Sequence, residues 1–552
     1  MKKNTFIQGA FIATFGIILS KILGIIYVIP FYSIIGDQGG ALYGYAYSIY
    51  GIFLGISQAG IPLAISKVIS EYNVLGYYDT KERAFKLGKK TLNTLGIICF
   101  LIMFIFAKPI AYVIMGNITG GNTIEDITFV IRVISTAILV VPILSIYRGY
   151  LQGHKFITPT SVSQVLEQLV RVVIIVGGSF LTLRVFNLSL KTTVGIAVFS
   201  ATLGALTAYL YLLFKAKANK DKLNKRILEV DEPKITDKEI INKILIYAFP
   251  FIMIDVFRSL INSVDIFMLV RLLVDGAGYT VVQAETVMSI VSTWGLKLNM
   301  IVIAIGTGLM ISLIPNLTSS FVKEEMDDVR KKINQTLQCL FFFVIPMSFG
   351  LSVLAKPVWT VFYGASELGP SVYGYYVFVA LATTMFTSSI TILQLLKEYK
   401  KVIMVLLSGL ITKIALNVPL LFSFHQLGFP AYYGSITATI IGYIVCASLA
   451  LSYIKKKYQV NYEETIKRVF SIVTTTMFMV IILLLLEKLV PFASPRRLIN
   501  ILYIVGYGLI GAGIYFVIVF RTKLVFDIFG KNNVEKALNK LLRRWFNGIC
   551  ST

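Results

Sequence analysis

Apolar residues in this chain come in long unbroken runs, and polar positions gather in the short gaps between the runs. A run such as Met477–Leu486 is apolar at every position. It lacks the alternation of a barrel strand and leaves no polar face for water. Each run reaches or exceeds the roughly 20 residues a helix needs to cross about 30 Å of hydrocarbon. Inside a bilayer the backbone satisfies its own hydrogen bonds only as a helix or a closed barrel, so the pattern selects helices. It predicts about fourteen transmembrane helices, at 6–32, 43–71, 91–115, 127–152, 158–183, 193–214, 244–270, 286–314, 335–360, 372–396, 402–424, 431–454, 469–489 and 499–520. These are helices 1 to 14 below.

Positive charge falls mainly in every second gap. One side receives Lys2 and Lys3, the cluster Lys81, Arg83, Lys86, Lys89 and Lys90, the 215–243 segment, Lys331 and Lys332, Lys455 to Lys457, and Arg543 and Arg544. Loops 33–42, 116–126, 361–371 and 425–430 hold no Lys or Arg, although Arg184, Lys191, Arg271, Arg496 and Arg497 reduce the contrast elsewhere. The positive-inside rule makes the basic side cytoplasmic and places both termini there. The formal net charge of +24 is what a cytoplasmic face over anionic lipid carries, and no soluble nucleic-acid module accompanies it. The first run is too long for a signal h-region and lacks a small-residue cleavage site, so it stays as helix 1. Cys99, Cys339 and Cys446 lie within predicted helices and Cys550 lies in the tail, with no metal-binding spacing.

The chain repeats itself. Helix 3 ends Ala107-Lys108-Pro109-Ile110-Ala111-Tyr112-Val113-Ile114-Met115-Gly116, and helix 9 ends Ala355-Lys356-Pro357-Val358-Trp359-Thr360-Val361-Phe362-Tyr363-Gly364. Ile61-Pro62 of helix 2 has its counterpart in Ile314-Pro315 of helix 8. The expected organisation is an N-terminal lobe at 1–214 (helices 1 to 6), a cytoplasmic linker at 215–243, a C-terminal lobe at 244–454 (helices 7 to 12), helices 13 and 14 at 455–520, and a cytoplasmic tail at 521–552. The repeat is parallel, with its axis along the membrane normal, as in transporters built from two bundles.

Charges inside the predicted helices carry the functional argument. Lys21, Arg171, Arg258, Lys297 and Lys413 fall near mid-span, where each cation costs roughly 2.5–3.5 kcal/mol on insertion scales. Acids at that depth are fewer: Glu167, Asp255 and Asp265. Asp255 and Arg258 stand three apart and Glu167 and Arg171 four apart, spacings that make local ion pairs. Lys108, Lys356, Arg132 and Arg148 sit near helix ends, within snorkelling reach of headgroups. Lys21, Lys297 and Lys413 have no acid one turn away, so each needs a partner from another helix or an anionic ligand. Asp265 has either an ion to hold or a cation to neutralise, with Arg258 or Lys297 as candidates. The expected cavity is cationic and suits an anionic or amphipathic substrate. Catalysis has little to work with, because His154 and His425 are the only histidines and neither joins a metal or nucleophile constellation.

The stretch Arg148-Gly149-Tyr150-Leu151-Gln152-Gly153, followed by Pro159-Thr160-Ser161-Val162-Ser163-Gln164-Val165-Leu166-Glu167-Gln168-Leu169-Val170-Arg171, resembles the RGxxQG and PTxxSQxxEQxxR signature of the polysaccharide-transporter branch of the MOP flippase superfamily. Ser20-Lys21-Ile22-Leu23-Gly24, Gly39-Gly40-Ala41-Leu42, Ala59-Gly60-Ile61-Pro62, Ile333-Asn334-Gln335-Thr336 and Phe362-Tyr363-Gly364 extend the likeness to the MurJ-type lipid II flippases, in particular the YtgP group. The resemblance implies an all-α, MOP/MATE-like V-shaped bundle of two six-helix lobes that alternate between inward-open and outward-open forms. It also implies that helices 13 and 14 form a groove for the lipid tail.

By the same resemblance Lys21 stands where many relatives have Arg, Arg148, Arg171 and Lys297 match family positions, and Asp265 resembles an acid of helix 7 linked to ion binding. Asn417 follows Lys413 in helix 11 with no carboxylate nearby. The implied protein is no enzyme. It is a monomeric flippase in the bacterial cell membrane that moves undecaprenyl-diphosphate-linked peptidoglycan precursor outward, beside membrane lipids and cell-wall synthesis machinery. Its substrate-facing cations are Lys21, Arg148, Arg171, Arg258, Lys297 and Lys413, supported by Glu167, Asp255, Asp265 and Asn417. It needs no cofactor, and Na+, H+ or the membrane potential stand open as the driving force. Rival cargoes are a teichoic acid, capsule or spore-cortex precursor. A more distant rival is ion-coupled drug export, which favours an acidic, aromatic cavity.

Overall fold

The computed structural model describes residues 16, 19–20, 23–58, 60–223, 231–492, 494–531 and 534–535. Among them the regular structure is helical, with no strand. Among the described residues, thirteen helical stretches are long and apolar enough to cross a membrane, and they correspond to helices 2 to 14 above. Most of helix 1, including Lys21, lies outside the described residues. The chain is a multi-pass membrane protein.

In chain order the helices are α1 (Val28–Gln58), α2 (Ile61–Leu75), α3 (Tyr78–Ile105), α4 (Ala107–Met115), α5 (Ile124–Ser135), α6 (Ala137–Gly153), α7 (Ile157–Val173) and α8 (Leu190–Lys217). They continue with α9 (Asp237–Arg271), α10 (Val281–Ser289), α11 (Gly295–Val322), α12 (Met326–Val353), α13 (Ala355–Tyr363) and α14 (Leu368–Leu395). The last are α15 (Tyr399–Gln426), α16 (Tyr432–Tyr458), α17 (Glu463–Leu489), α18 (Arg497–Arg521) and α19 (Leu524–Phe529). Four π-helical turns, Ile174–Gly178, Leu181–Val185, Leu272–Gly276 and Ile290–Trp294, interrupt this regularity beyond α7, α9 and α10.

Two expectations about boundaries change. The expected loop at 33–42 is helical, and the only break in α1 is Gly36, at φ 61° and ψ −160°. That backbone region is open essentially to glycine alone, so one residue redirects the chain where a loop was expected. Helix 3 is also not continuous: α3 stops at Ile105 and α4 restarts at Ala107. The second copy of the repeated motif does the same, with Leu354 between α12 and α13. Both copies are nine-residue helices closed by a positive-φ glycine, Gly116 and Gly364.

Contacts group the chain into two compact units, one running to Lys297 and taking in Lys413–Ser435, the other comprising Leu298–Thr412 and the chain from Ile436. In the first unit α1 packs along α9, and α6 packs against α2, α3 and α8. The α2–α6 contact uses Gly149, where a Cβ would lie 2.6 Å from the Pro62 carbonyl oxygen. Capping boxes start α5 (Thr123 with Asp126), α9 (Thr236 with Glu239) and α10 (Thr280 with Gln283), each satisfying main-chain donors left open at a helix start. The segment before α9 is tied to the start of α3: Glu232 accepts from the Asp79 and Thr80 amides at 2.8 and 2.9 Å and from the Thr80 hydroxyl at 2.8 Å. Burial alone raises the Glu232 carboxyl, but these donors outweigh it and hold the group below its ordinary range.

In the second unit α12 packs against α14 and α17, and α13 against α18. Glu398, in the turn between α14 and α15, accepts from Tyr453 and Tyr458 of α16, each at 2.8 Å, and pairs with Lys457. Burial works against its charge, yet Lys457 and the two phenols keep its carboxyl below the ordinary range.

Candidate functional site

The first unit gathers cations around tyrosines. Arg171, near the end of α7, donates to the Tyr47 hydroxyl of α1 at 3.0 Å and lies over that ring at 5.8 Å. Lys297 at the start of α11 lies over the Tyr27 ring, 5.4 Å from its centroid. Tyr27 in turn interacts with Lys297 and Arg171 together. Tyr43 and Tyr47 (4.4 Å between centroids) and Tyr47 and Tyr50 (5.9 Å) complete the cluster. A flat cation over an aromatic face is held without being neutralised. The Arg171 Nε is buried and meets no acceptor among the described residues, the kind of donor that an anionic ligand satisfies. The four tyrosines were not anticipated, since from sequence they read as ordinary apolar positions of helices 1 and 2.

Glu167 does not serve Arg171 chiefly. Its Oε2 takes Arg148 at 2.8 Å, while Arg171 stands 3.8 Å from Oε1. Arg148 is buried on α6 and also donates to the Ser163 hydroxyl at 3.1 Å, so it bonds inward to α7 and does not snorkel to a headgroup. Asp255 and Arg258 make the expected local pair at 2.5 Å. Both line an open cavity of about 400 Å³ with Ser259, Gly51, Gly55 and Pro62.

Lys413 finds its partner in Asp265 at 2.6 Å, and both are buried. Sequence had suggested Arg258 or Lys297 for Asp265; the partner instead lies 148 residues away. The Lys413 ammonium also donates to the Ser435 carbonyl oxygen at 3.0 Å, and the Ser435 hydroxyl stands 2.6 Å from Asp265 Oδ1 and 2.7 Å from Asn417 Oδ1. Gly434 permits this contact, because a Cβ there would lie 2.4 Å from the Leu420 main chain. A buried acid absent from the sequence reading is Glu285 of α10, which accepts both the main-chain and side-chain N–H of Asn122 at 2.9 Å. It anchors the loop before α5 rather than a cation.

In the second unit an apolar groove of about 320 Å³ runs between α12, α17 and α18, with Phe342, Met347, Leu483, Tyr507, Gly511 and Tyr515 among its walls. The Tyr515 hydroxyl is spent on the Phe342 carbonyl at 2.8 Å, so the groove presents hydrocarbon.

With this geometry in place, the polysaccharide biosynthesis protein family matches residues 6–305. Lipid II flippase MurJ of Bacillus subtilis (strain 168) is 34% identical over 468 residues, covering 84% of this chain and 85% of that protein. The chain belongs to the MurJ family. A more distant relative from the same organism, the uncharacterized membrane protein YabM, is 28% identical over 359 residues, covering 65% of this chain and 64% of that protein. Among solved structures, a lipid II flippase MurJ in an inward closed conformation aligns with a TM-score of 0.62 at 14% identity, covering 93% of this chain and 100% of that one. An inward-facing MATE family multidrug resistance transporter of the MOP superfamily aligns with a TM-score of 0.60 at 14% identity, covering 80% and 94%. At such identities the structures establish the fold, which is that of the MOP superfamily. Within this MurJ-family chain the signature Arg148 and Glu167 form one ion pair, and Arg171, the last residue of the signature, turns toward the tyrosines.

Proposed function

We propose that this chain carries lipid II, the undecaprenyl-diphosphate-linked peptidoglycan precursor, from the cytoplasmic to the outer leaflet by alternating access, without making or breaking a covalent bond. The observation that carries this reading is the 34% identity to the Bacillus subtilis lipid II flippase across 84% of the chain. The site chemistry supports it. Arg171 and Lys297, held over tyrosines, offer positive charge to a diphosphate. Lys21 and Arg258 add positive charge along its path, while Arg148, paired with Glu167, holds α6 to α7. The groove beside α17 and α18 suits a polyprenyl tail that stays in hydrocarbon while the headgroup crosses.

The two lobes, 1–214 and 244–454, are taken to rock about the 215–243 linker, in a monomer with both termini in the cytoplasm that works beside the cell-wall synthesis machinery. Outward movement of an anionic cargo through an inside-negative potential is favoured by about 2.3 kcal/mol per charge per 100 mV, a drive that needs no bound ion.

The test is depletion. Lipid II is expected to accumulate in the cytoplasmic leaflet, and wild-type protein but neither Arg171→Met nor Lys297→Met is expected to relieve the block at equal membrane levels. Normal lipid II turnover with build-up of a teichoic, capsular or spore-cortex intermediate refutes the cargo, and full activity of both Met variants refutes the site.

A further inference from the structure

The resemblance to flippases that hold a coupling ion through an acid of helix 7 directs attention to Asp265, and the groups around that carboxylate do not fit a free ion. Four oxygens converge there: the Asp265 carboxylate, the Ser435 carbonyl, the Ser435 hydroxyl and the Asn417 amide oxygen. Carboxylate, main-chain carbonyl and amide oxygens are the donors hard cations choose. The cation among them is already part of the chain. The Lys413 ammonium, fully buried, lies 2.6 Å from Asp265 Oδ1 and 3.0 Å from the Ser435 oxygen. Lys413 and Asn417 sit one turn apart on the same face of α15. A sodium ion would have to displace the ammonium from its carboxylate or share that carboxylate with it, and two cations cannot share one buried acid without strong repulsion.

We propose that the Lys413 ammonium is the resident cation of the Asp265 site, supplied covalently by the chain, so that this protein binds no Na+ there. The chemical corollary is specific. Removing the ammonium while keeping the oxygens turns a closed site into an alkali-cation site, because the buried carboxylate then loses the cation it is paired with.

The experiment uses the purified full chain in detergent. Its thermal midpoint is compared in NaCl and in N-methylglucamine chloride at the same ionic strength. Wild type is expected to melt at the same temperature in both. Lys413→Asn is expected to melt lower in N-methylglucamine and to recover by several degrees, saturably, with Na+, as binding to the folded state requires. The double variant Asp265→Asn/Lys413→Asn is expected to lose that response. A saturable Na+ shift in wild type overturns the proposal, as does a Lys413→Asn protein with no Na+-specific recovery. Equilibrium binding of radioactive Na+ to wild type needs no variant. No saturable binding is expected, and binding that Asp265→Asn abolishes overturns the proposal as well. None of these readouts involves transport, so a failure here is separable from a failure of the flippase assignment.

Discussion

Glu167 holds two arginines unequally, and that inequality is measurable. Arg148 lies 2.8 Å from the carboxylate with its side chain 8% exposed; Arg171 lies 3.8 Å away and is 25% exposed. At an effective dielectric of about 20 the closer contact corresponds to roughly 6 kcal/mol of Coulomb attraction, much of it offset by desolvation. Deleting one partner of a buried pair nevertheless costs about 3–5 kcal/mol, because the other charge is left uncompensated. Glu167 retains some solvent, with 19% of its side chain exposed, so Glu167→Gln should fall near the lower end, about 3 kcal/mol.

Thermal unfolding of purified single and double variants supplies the cycle. Arg148→Met combined with Glu167→Gln should recover most of the loss, with a coupling energy of about 1.5 kcal/mol or more. Arg171→Met combined with Glu167→Gln should show a smaller coupling than the Arg148 cycle, since the Arg171 contact is longer and, when Glu167 is replaced, Arg171 keeps the Tyr47 hydroxyl. Additivity in the Arg148 cycle, or stronger coupling in the Arg171 cycle, would refute the assignment of Glu167 to Arg148.

Gly36→Ala should destabilise the protein by about 1–3 kcal/mol through backbone strain alone, because a Cβ at this φ 61° position meets nothing within 4 Å; an unchanged melting temperature would contradict the break in α1. Glu232→Gln should lower stability near neutral pH by about 0.3–1 kcal/mol, the usual worth of a partly exposed charge at a helix start. The folded carboxyl sits below its unfolded value of about 4.3, so its contribution is complete above that pH and is lost as pH falls through the folded value. Melting curves of wild type and Glu232→Gln should therefore converge on acidification, and a gap that widens in acid would reverse the sign of the argument.

The helices were legible in the sequence because each hydrophobic run is long enough to declare itself, and the pairing of Asp255 with Arg258 was legible because both sit on one helix face. Pairings between helices were not. Periodicity assigned Glu167 to Arg171, one turn away, whereas the nearer guanidinium comes from α6. Lys413, with no acid one turn away, could take either a partner from another helix or an anionic ligand, and nothing local points to Asp265, which it pairs with. The tyrosines around Arg171 and Lys297 were hidden for a related reason: in a chain where nearly every residue is apolar, a phenol facing a cation looks the same as one facing lipid. The loop expected at 33–42 failed on a different principle, since the Gly-rich polar stretch that suggested a loop needed only one glycine to redirect the helix.

The π-turns also bear on how such a chain can change over evolutionary time. A π-turn is an α-helix carrying one residue more than its neighbours require. Deleting a residue within Leu272–Gly276 or Ile290–Trp294 therefore heals into an ordinary turn, whereas the same deletion inside α9 would rotate everything beyond it by about 100°. Single-residue insertions and deletions can accumulate at these turns while Arg171, Asp265 and Lys297 keep their facing. They are points where the length of the chain can drift without disturbing its charges.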